Sequence, residues 1–506
     1  MGTEIELKLV TSKAGLRKVL TLPWLKRMAG DGIRTQGLVS VYFDTRDLAL
    51  RDHGVSLRVR RIGEHRLQTI KALSTVPMAR GEWEAQIEGD RPKLKLARRT
   101  ALAPILTDDI ARRLKPVFET RVERTLMPLQ VGRSEIELAV DEGRVAAADS
   151  SVDIAEIEIE LKRGAPADIA RLARRLAHEI PVALGVRAKA GWGAALLEGT
   201  VDAPMRADAI VLAPSATVAD AFVVIGFSCL RQIAANERAV RRHDPEGVHQ
   251  MRVGLRRLRA ALSLFRDMLR GDETDRLKGE LKWLTGELGP ARDTDVLISK
   301  TVAPCLERQP ESGEFEMLAR DLEAERTAGF ARAGRALENG RFGRLVLDCA
   351  LWLIDGAWRN DDDDLRRAQR ERPADSFAQE ELARRRRKII KRVRKVERLD
   401  AMRRHKLRIA VKKLRYAREF FASLDRGRPG RKRRRRADRA LKGLQSALGT
   451  LNDMRAHRYV ARDFARANAA SRKAFAIGYL TGREEAREAG LLGEACSAGK
   501  LLKKAA

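Results

Sequence analysis

The first strand-like segment of the chain alternates charged and aliphatic side chains. In the hexapeptide Glu4-Ile5-Glu6-Leu7-Lys8-Leu9, every second residue is charged. Side chains at i, i+2 and i+4 of a β-strand share a face, so Glu4, Glu6 and Lys8 should project together while the aliphatic residues pack behind them. Two carboxylates beside an ammonium group suit a divalent cation next to a phosphate. An ordinary amphipathic surface strand would show the same alternation, so the hexapeptide alone does not decide the function.

Alternation with a period of two dominates residues 1–200. It predicts eight strands, with helices near residues 13–20, 107–114 and 168–180. The predicted strands cover residues 4–10, 38–44, 55–61, 65–73, 80–87, 118–129, 133–141 and 154–162. Eight alternating strands with few helices between them predict a closed antiparallel barrel or a strongly curved sheet.

The polar positions of these strands carry bases and acids together. Arg58 and Arg60 share one face of a strand, and Glu156, Glu158 and Glu160 share one face of the last strand. A solvated surface would explain such faces, but like charges on neighbouring strands repel unless counter-ions lie between them. An interior lined by both signs would bind a divalent cation together with a polyphosphate. The sequence contains neither a GxxxxGK[ST] phosphate loop nor an HExxH motif, so phosphoryl chemistry would depend on the charged strands.

Further charged segments follow the opening hexapeptide in a fixed order. They are Tyr42-Phe43-Asp44-Thr45, Leu57-Arg58-Val59-Arg60, Thr69-Ile70-Lys71, Arg80-Gly81-Glu82-Trp83-Glu84, Val117-Phe118-Glu119-Thr120 leading to Arg124, Glu135 to Asp141, and Glu156 to Glu160. Together with the ExExK pattern of the first strand, this ordered set resembles the CYTH superfamily of triphosphate tunnel metalloenzymes. The resemblance implies an eight-stranded tunnel that binds a linear triphosphate and hydrolyses it with Mg²⁺ or Mn²⁺.

The same resemblance implies roles for individual residues. The metal ligands would be Glu4, Glu6, Glu158 and Glu160, and the phosphates would be held by Lys8, Arg58, Arg60, Lys71 and Arg124. Arg121 and Arg124 have opposite parity, so only one of them should face the tunnel, and we favour Arg124. The catalytic set would be Glu4, Glu6, Lys8 and Glu137, with Glu137 orienting the attacking water. Glu135 and Asp141 stay open as alternatives for that last role.

The composition indicates the partner and the compartment. A chain of 506 residues is long enough for two to four domains, and a formal net charge of +31 points to a polyanionic partner. Residues 1–200 carry +7 of this charge and the remainder carries +24. The four cysteines are widely spaced and form no CxxC pair, which favours reduced thiols. Since no leader pattern and no apolar run near the length of a membrane span are found, we expect a cytoplasmic protein that can associate with polyphosphate granules.

From about residue 215 the hydrophobic period changes to 3.6, and an internal repeat begins. Residues 249–259 match residues 405–415, and residues 281–293 match residues 441–453. We therefore predict two domains and a linker. The predicted bounds are 1–202 for a β domain, 203–216 for the linker and 217–500 for an all-helical domain, with repeats at about 217–360 and 375–500.

Each copy of the repeat carries a row of basic residues. The positions step by 3, 4 and 3, which places them on one helical face opposite an apolar stripe. The rows are His249, Arg252, Arg256 and Arg259 in the first copy, and His405, Arg408, Lys412 and Arg415 in the second. A solvated face is the alternative to an anion site. The repeated arrangement resembles the CHAD domain, which implies an all-helical module of two repeated bundles that binds inorganic polyphosphate through these rows. One histidine among cations is a poor metal site, so we expect no metal there.

The sequence thus predicts an enzyme that cleaves inorganic triphosphate to pyrophosphate and phosphate, joined to a helical domain that binds polyphosphate. A nucleoside or thiamine triphosphatase remains an alternative, and so does a polyphosphate-binding protein with weak tunnel activity. A class IV adenylate cyclase is less favoured, because no adenine pocket can be recognised. Basic runs at residues 384–395 and 431–436 could extend the polyphosphate surface or bind nucleic acid. Aromatic residues make up only 5% of the chain, so we do not expect nucleic acid as the specific partner. Without a long apolar run, we expect no membrane partner.

Overall fold

The computed structural model describes residues 2–73, 79–98, 100–308, 312–338, 340–425, 431–467 and 473–504. Within these ranges, side chains are described except at residues 2–4, 73, 79–80, 431, 455–467 and 473–475. The chain divides into two compact units. The first comprises residues 1–205, 230–238 and 337–360, and the second comprises residues 206–229, 239–336 and 361–506.

An antiparallel sheet of nine strands forms most of the first unit. The strands are β1 (Gly2–Val10), β2 (Arg34–Asp44), β3 (Val55–Ile62), β4 (His65–Leu73), β5 (Ala79–Gln86), β6 (Lys115–Val131), β7 (Ser134–Ala147), β8 (Ser150–Arg163) and β9 (Ala183–Leu184). The alternation located the first eight, but the predicted number of eight strands is wrong. β9 consists of two residues that pair with Leu9 and Val10 of β1, and so short a segment cannot display a period of two.

β1 lies between two strands that are distant from it in sequence. The order in the sheet is β5-β4-β3-β2-β6-β7-β8-β1-β9, and β1 pairs with β5 as well as with β8. Every one of these pairings is antiparallel. β1 therefore connects β5, at one end of this order, with β8, near the other end.

The apolar face of the sheet is covered by helices, and the charged face is left for other contacts. In β8, Ile157 and Ile159 are fully buried on one face, whereas Glu156 and Glu158 project from the other. The helices of this unit that precede residue 200 are α1 (Lys13–Thr21), α2 (Pro23–Ala29), α3 (Ala49–Asp52), α4 (Leu94–Ala97), α5 (Asp108–Arg113), α6 (Pro166–Glu179) and α7 (Lys189–Leu197). α1 packs on β7 and β8, α2 on β6, and α6 on β8. α7 also contacts β6, β7 and β8, and its first residue reaches their charged face.

The rest of the chain is helical, as the period of 3.6 predicts. The helices are α8 (Val218–Ala235), α9 (Glu237–Arg241), α10 (Pro245–Leu264), α11 (Asp272–Glu287), α12 (Gly289–Leu297), α13 (Ala303–Leu306), α14 (Gly313–Glu338), α15 (Arg341–Asp355), α16 (Asp364–Glu371), α17 (Ala374–Val393), α18 (Ala401–Phe420), α19 (Arg431–Ala467) and α20 (Lys473–Lys504). α15 belongs to the first unit by its contacts, where Arg174 of α6 donates to Asp355 at 2.8 Å. The molecule is thus a mixed α and β protein with an antiparallel sheet followed by a helical region.

α10 and α18 are the two copies of the basic helix, and their beginnings are alike. Both have 20 residues, and both are capped by an aspartate, Asp244 or Asp400, whose side chain accepts backbone N–H groups of the first turn. The copies differ further along the chain. Gly289-Pro290 begins a new helix in the first copy, whereas the equivalent Gly449 lies inside the continuous helix α19. Proline cannot continue a helix without losing a hydrogen bond, which accounts for the break.

One apolar helical stretch bears on the expectation that the protein has no membrane partner. Val218–Arg241 has 24 residues and contains an 18-residue window with a mean hydropathy of 1.6, so by length and composition it could span a membrane. Half of this window is buried inside the protein. Core helices of folded proteins have the same properties, so the stretch is weak evidence for a membrane.

Candidate active site and polyanion-binding site

Charged residues of β1, β8 and β7 lie side by side on the polar face of the sheet. Glu6 is opposite Glu160, which in turn is opposite Glu137. Two residues further along β1, Lys8 is opposite Glu158. Directly opposed carboxylates repel one another, so this face is stable only where cations are interleaved.

Two buried lysines bridge the carboxylates at one end of this face. The Lys8 ammonium donates to Glu158 at 2.6 Å and to Glu156 at 3.1 Å. Lys189, the first residue of α7, lies 2.7 Å from Asp141 and donates to Glu156 at 2.9 Å and to Glu158 at 2.8 Å. The two lysine side chains are only 9% and 8% exposed. α7 therefore delivers a cation to a sheet face whose other charges come from strands.

Arg124 of β6 completes this group. Its Nε and Nη2 donate to the two carboxylate oxygens of Asp141 at 2.7 and 2.6 Å, and Nη2 also donates to Glu158. Such a bidentate arrangement fixes the guanidinium plane. Arg121 is 69% exposed and pairs with Glu119. Of the two arginines, Arg124 is thus the one on the charged face. We call Lys8, Arg124, Asp141, Glu156, Glu158 and Lys189 the inner cluster.

Mutual charge balance keeps the inner cluster ionised. Burial alone would raise the pKa of Glu158, but Lys189, Lys8 and Arg124 outweigh it and hold that pKa well below its usual range. Burial would likewise raise the pKa of Asp141, but Lys189 and Arg124 outweigh it and lower that pKa. Conversely, burial would lower the pKa of Lys189, but Glu158 and Asp141 raise it well above its ordinary value. Asp141 and Glu158 on one side and the three cations on the other therefore stabilise one another in their charged forms.

The two arginines of β3 have different surroundings. Burial would lower the pKa of Arg58, but Tyr42 and Glu82 outweigh it and raise that pKa. Arg58 is opposite Tyr42, and Arg60 is opposite Ser40; the Arg60 Nε donates to the Ser40 hydroxyl at 3.2 Å. Burial, followed by repulsion from Arg58 and Arg124, lowers the pKa of Arg60 to about 9. The Arg58 Nε is buried and has no hydrogen-bond partner among the described residues. Cations in this state are suited to an anionic ligand, because a ligand would supply the missing charge and hydrogen bonds.

Two smaller ion-pair groups contain most of the remaining predicted residues. Lys71 lies 3.1 Å from Glu82. Lys162 lies 2.7 Å from Glu160 and 3.3 Å from Glu137. The side chains of Glu137 and Lys162 are 33% and 43% exposed, whereas the inner cluster is buried. The charged face is thus open to solvent at the Glu137 end and closed at the α7 end.

The carboxylates of the inner cluster have the chemistry of a metal site. Asp141, Glu156 and Glu158 each offer an oxygen atom, and these atoms lie within 4.8 Å of one another. Mg²⁺ and Mn²⁺ prefer such hard oxygen donors. In this arrangement the same carboxylates also contact Lys8 or Lys189, so a cation would share them with the ammonium groups. The donor set fits a hard divalent cation.

The predicted metal ligands are distributed over this region and beyond it. Glu158 belongs to the three-carboxylate group, whereas Glu160 and Glu6 lie one register step away, with Glu6 3.7 Å from the Lys8 ammonium. The side chain of Glu4 lies outside the described residues. Which of these carboxylates bind metal stays a prediction.

Sequence reasoning missed Lys189 and gave no ligand role to Glu156. Glu156 was placed on the correct strand face by its parity, which is the signal that could have identified it. Lys189 has a weaker signal: it is the only charged residue of α7, whose sequence is KAGWGAALL. A lysine at the start of an otherwise uncharged helix has no periodicity, and its position depends on how α7 packs against the sheet.

In the second unit, the basic rows of the two repeats make equivalent contacts. Arg252 of α10 donates to Asp293 and to the Thr285 carbonyl, both at 3.3 Å. Arg408 of α18 lies 3.6 Å from Asp453. Asp293 and Asp453 occupy matching positions in the repeat. Each row is thus tied to its own copy by one aspartate.

The two rows meet where α10 contacts α18. Burial, followed by repulsion from Arg408 and Arg256, lowers the pKa of Lys412 to about 7. Burial also lowers the pKa of Arg408, for which Asp453 compensates only in part. The Nε atoms of Arg252, Arg256 and Arg408 are buried without a hydrogen-bond partner in the part of the chain that is described. The cations of the two copies therefore form one group with an excess of positive charge.

The other residues of the rows have different surroundings. Burial, followed by repulsion from Arg292, lowers the pKa of His249 to about 4, so this imidazole is neutral near pH 7. His405 Nδ1 bonds to the side chain of Asn452. Both histidines can therefore form hydrogen bonds, and His249 adds no positive charge. The exposed ends of the rows are Arg259 and Arg415.

Comparison with known proteins identifies a family for each region. A family model of the CYTH domain matches residues 2–184, and a family model of the CHAD domain matches residues 225–462. An inorganic triphosphatase of Haemophilus influenzae is 27% identical over 170 residues, which are 31% of this chain and 45% of that protein. The chain thus spans less than half the length of this curated relative.

Two solved structures illustrate these similarities, one for each region. The CHAD domain of the plant Ricinus communis is 31% identical, with 59% of this chain and 96% of that chain covered and a TM-score of 0.49. A Hippeastrum protein, described as an adenylyl cyclase with a dominant triphosphatase activity, is 17% identical, with 39% and 96% covered and a TM-score of 0.30. From the two family models, which together cover most of the sequence, we conclude that this chain joins a CYTH domain to a CHAD domain.

Proposed function

We propose that the CYTH domain is a metal-dependent hydrolase that cleaves inorganic triphosphate to pyrophosphate and phosphate, and that the CHAD domain binds inorganic polyphosphate. One observation carries the enzymatic part. A buried group of three carboxylates and three cations lies on the same sheet face as Arg58, whose buried Nε has no partner among the described residues, and Arg60, whose pKa is lowered. Carboxylates for a cation beside bases for phosphate are what phosphoryl transfer requires. The family and the Haemophilus relative support the triphosphatase class.

The phosphates would bind mainly to cations with unused donors or unmet charge. Arg58 has a buried Nε without a partner among the described residues, and Arg60 has a lowered pKa. Lys71 lies near them, since Arg58 is opposite Thr69 and Lys71 is two residues further along β4. Lys8 and Arg124 would extend the binding surface from the inner cluster. Because these two also hold the carboxylates in place, they would position the metal ligands as well as the substrate.

The metal would be held by carboxylates of β1, β7 and β8, namely Glu6, Asp141, Glu156, Glu158 and Glu160, with Glu4 as the further predicted ligand. When bound, Mg²⁺ or Mn²⁺ supplies charge stabilisation at the phosphoryl oxygens and at the leaving pyrophosphate. The protein's own part is to keep Asp141 and Glu158 ionised, as their lowered pKa values indicate. It also excludes bulk water from the α7 end of the face.

Glu137 is the carboxylate best placed to orient the attacking water. Asp141 is fully buried, and both its oxygens accept hydrogen bonds from Arg124. Glu135 is 49% exposed and pairs with Arg163. Glu137 lies beside Glu160 at the open end of the face, where water has access. In the proposed reaction the water oxygen forms the new P–O bond, its proton leaves through Glu137 to solvent, and the bridging oxygen departs with pyrophosphate.

Other parts of the proposal concern architecture and setting. We propose that β1 to β8 form the tunnel, a reading favoured by the pairing of β1 with both β5 and β8. We also propose the domain bounds 1–202 and 217–500 and a cytoplasmic location near polyphosphate. A nucleoside or thiamine triphosphatase is the second candidate, because the cations named above would bind a terminal triphosphate whatever group it carries.

Phosphate release from a panel of substrates tests the enzymatic proposal. Inorganic triphosphate, ATP and thiamine triphosphate are compared with Mg²⁺, with Mn²⁺ and with a chelator, using the full chain and its Glu6→Ala variant. We expect metal-dependent release that is fastest with inorganic triphosphate and strongly reduced by Glu6→Ala. Arg121→Ala, on the opposite face of the sheet, is the control that should keep wild-type activity. Release that is absent, or indifferent to both metal and Glu6, would contradict the proposal.

Retention on immobilised polyphosphate tests the second part. The full chain should be retained, and joint replacement of Arg252, Arg256, Arg408 and Lys412 by glutamine should abolish retention. A matched control replaces four exposed basic residues of the same unit that lie outside the basic rows and runs, Lys278, Arg403, Lys406 and Arg439. Equal retention of the two variants would mean that net charge rather than the basic rows decides binding.

A further inference from the structure

The contact between α10 and α18 brings four cations together. Arg256 comes from α10, and Arg408, Lys412 and Arg415 come from α18. We call these four residues the seam cluster. The sequence predicts two separate rows, one on each copy of the repeat, but the structure unites parts of both rows into a single site.

Lys412 has an unusual position within the seam cluster. The described groups that act on its charge are Arg408 and Arg415 of its own helix, Arg256 of α10 and Asp453 of α19. Asp453 is the single acid among them, and it already lies 3.6 Å from Arg408. Within the described residues, Lys412 has neither an ion pair nor a hydrogen bond. Its ammonium group thus faces three cations and one acid that is shared.

The arginines of the seam add hydrogen-bond capacity that is unused. Arg256 and Arg408 have a buried Nε without a partner among the described residues, and so does the neighbouring Arg252. Buried N–H groups are normally paired, and an unpaired one costs free energy. A phosphate chain would satisfy these donors and would separate the like charges. The geometry therefore points to a ligand that has negative oxygens on several sides.

We propose that Lys412 takes up a proton when a phosphate chain binds at the seam cluster. This inference rests on the proposed polyphosphate binding of the CHAD domain and adds its regulation by pH. The proton comes from solvent and is released again when the chain leaves. No other covalent change is involved.

Linkage fixes the direction of the pH effect. Because the pKa of Lys412 is lowered to about 7 by burial and by Arg408 and Arg256, roughly half of the free molecules lack this proton at pH 7. A bound polyanion favours the ammonium form and raises the pKa, so the complex holds more protons than the free protein. The affinity must then fall as pH rises through 7, by about tenfold between pH 6 and pH 8 if the bound lysine stays protonated.

Calorimetric titration of the full chain with long-chain inorganic polyphosphate tests this. The interior phosphates of such chains stay ionised over this pH range, so the probe changes little. Titrations at pH 7 in buffers with different ionisation enthalpies give the number of protons taken up. Wild type should take up about half a proton more per seam site than Lys412→Arg, in which the charge at this position no longer titrates. The affinity of Lys412→Arg should also vary less between pH 6 and pH 8.

Controls separate this inference from the function on which it rests. Lys406→Arg, at an exposed position of the same helix, should behave as wild type. Lys412→Gln should bind more weakly than wild type and should lack the extra proton uptake, which keeps the test valid if arginine does not fit. Binding with equal proton uptake by wild type, Lys412→Arg and Lys412→Gln would overturn the inference while leaving polyphosphate binding intact. Absence of binding by all of them would overturn the proposed function of the domain and the inference with it.

Discussion

The inner cluster of the CYTH domain and the seam cluster of the CHAD domain both gather cations, but they balance them differently. Lys8, Lys189 and Arg124 are matched by Asp141, Glu156 and Glu158, and the lysine pKa values are raised as a result. In the seam, Arg256, Arg408, Lys412 and Arg415 have few acids near them, and the pKa of Lys412 is lowered. Paired charges suit a site that must hold a metal and a phosphate at once. Unpaired cations suit a site that binds a polyanion and does no chemistry.

The largest effect should follow removal of the central carboxylate of the inner cluster. Glu158→Gln takes away a predicted metal ligand and leaves Lys8, Lys189 and Arg124 with excess positive charge. We expect kcat/KM for triphosphate to fall by about 100- to 1000-fold, the scale seen when a main electrostatic group is lost. Steady-state phosphate release measures this.

The control for Glu158→Gln is Glu119→Gln, which removes a carboxylate that pairs with Arg121 on the other face of the sheet. Far-ultraviolet circular dichroism of both variants establishes that the fold is retained. Activity of Glu158→Gln within about twofold of wild type would contradict the comparison, because the paired charges of the inner cluster would then have only a structural role.

A smaller effect is expected from neutralising the seam. Arg256→Gln combined with Arg408→Gln should weaken polyphosphate binding by about 10- to 100-fold and reduce the slope of log affinity against log salt by roughly 2. Triphosphate hydrolysis should stay unchanged. Fluorescence titration at several salt concentrations measures the slope.

The double variant Arg403→Gln with Lys406→Gln removes the same number of charges from exposed positions of α18 and serves as its control. If both double variants lower affinity and slope equally, the seam has no special role and the CHAD domain binds through its net charge. If the seam variant also lowers hydrolysis, the two sites are not independent, and the comparison must be revised.

The smallest effects concern stability, and they fall in different pH ranges in the two regions. The lowered pKa values of Asp141 and Glu158 contribute stability that is present above the unfolded pKa values near 4 and is lost as pH falls through the folded ones. The lowered pKa of Lys412 gives the same direction at higher pH: between pH 7 and about 10 the unfolded chain binds more protons, so stability again rises with pH.

Hydrogen exchange measured by mass spectrometry can follow the two regions separately. Peptides from β8 should lose protection as the medium becomes acidic, and peptides from α18 should gain protection from pH 7 to pH 9.5 after correction for the intrinsic rate. Lys412→Met should abolish the gain in α18, whereas Lys406→Met should preserve it. A gain that persists in Lys412→Met would assign it to another group.

Local patterns predicted most of the fold, and they failed where separate elements meet. The parity of Glu156, Glu158 and Glu160 follows from the period of a strand, and the face shared by Arg252 and Arg256 follows from the period of a helix. The residues that complete each site come from packing. Lys189 reaches the inner cluster only because α7 lies against three strands that end before it begins in sequence. Likewise, no spacing within either repeat reveals that α10 and α18 face each other.

The pairing of β1 with both β5 and β8 has a consequence for synthesis of the chain. The first strand leaves the ribosome early, but its partner on one side, Ser150–Arg163, follows only after six other strands have been made. Until then, β1 exposes an unpaired edge, and such edges invite pairing with other chains. Nascent chains that stall before β8 should therefore aggregate or recruit chaperones, and long-range pairing of this kind is slow to form. The carboxylates and the lysine of β1 disfavour pairing of this edge with other chains. The charges that would bind a metal and a phosphate in the folded protein therefore also reduce aggregation of the growing chain.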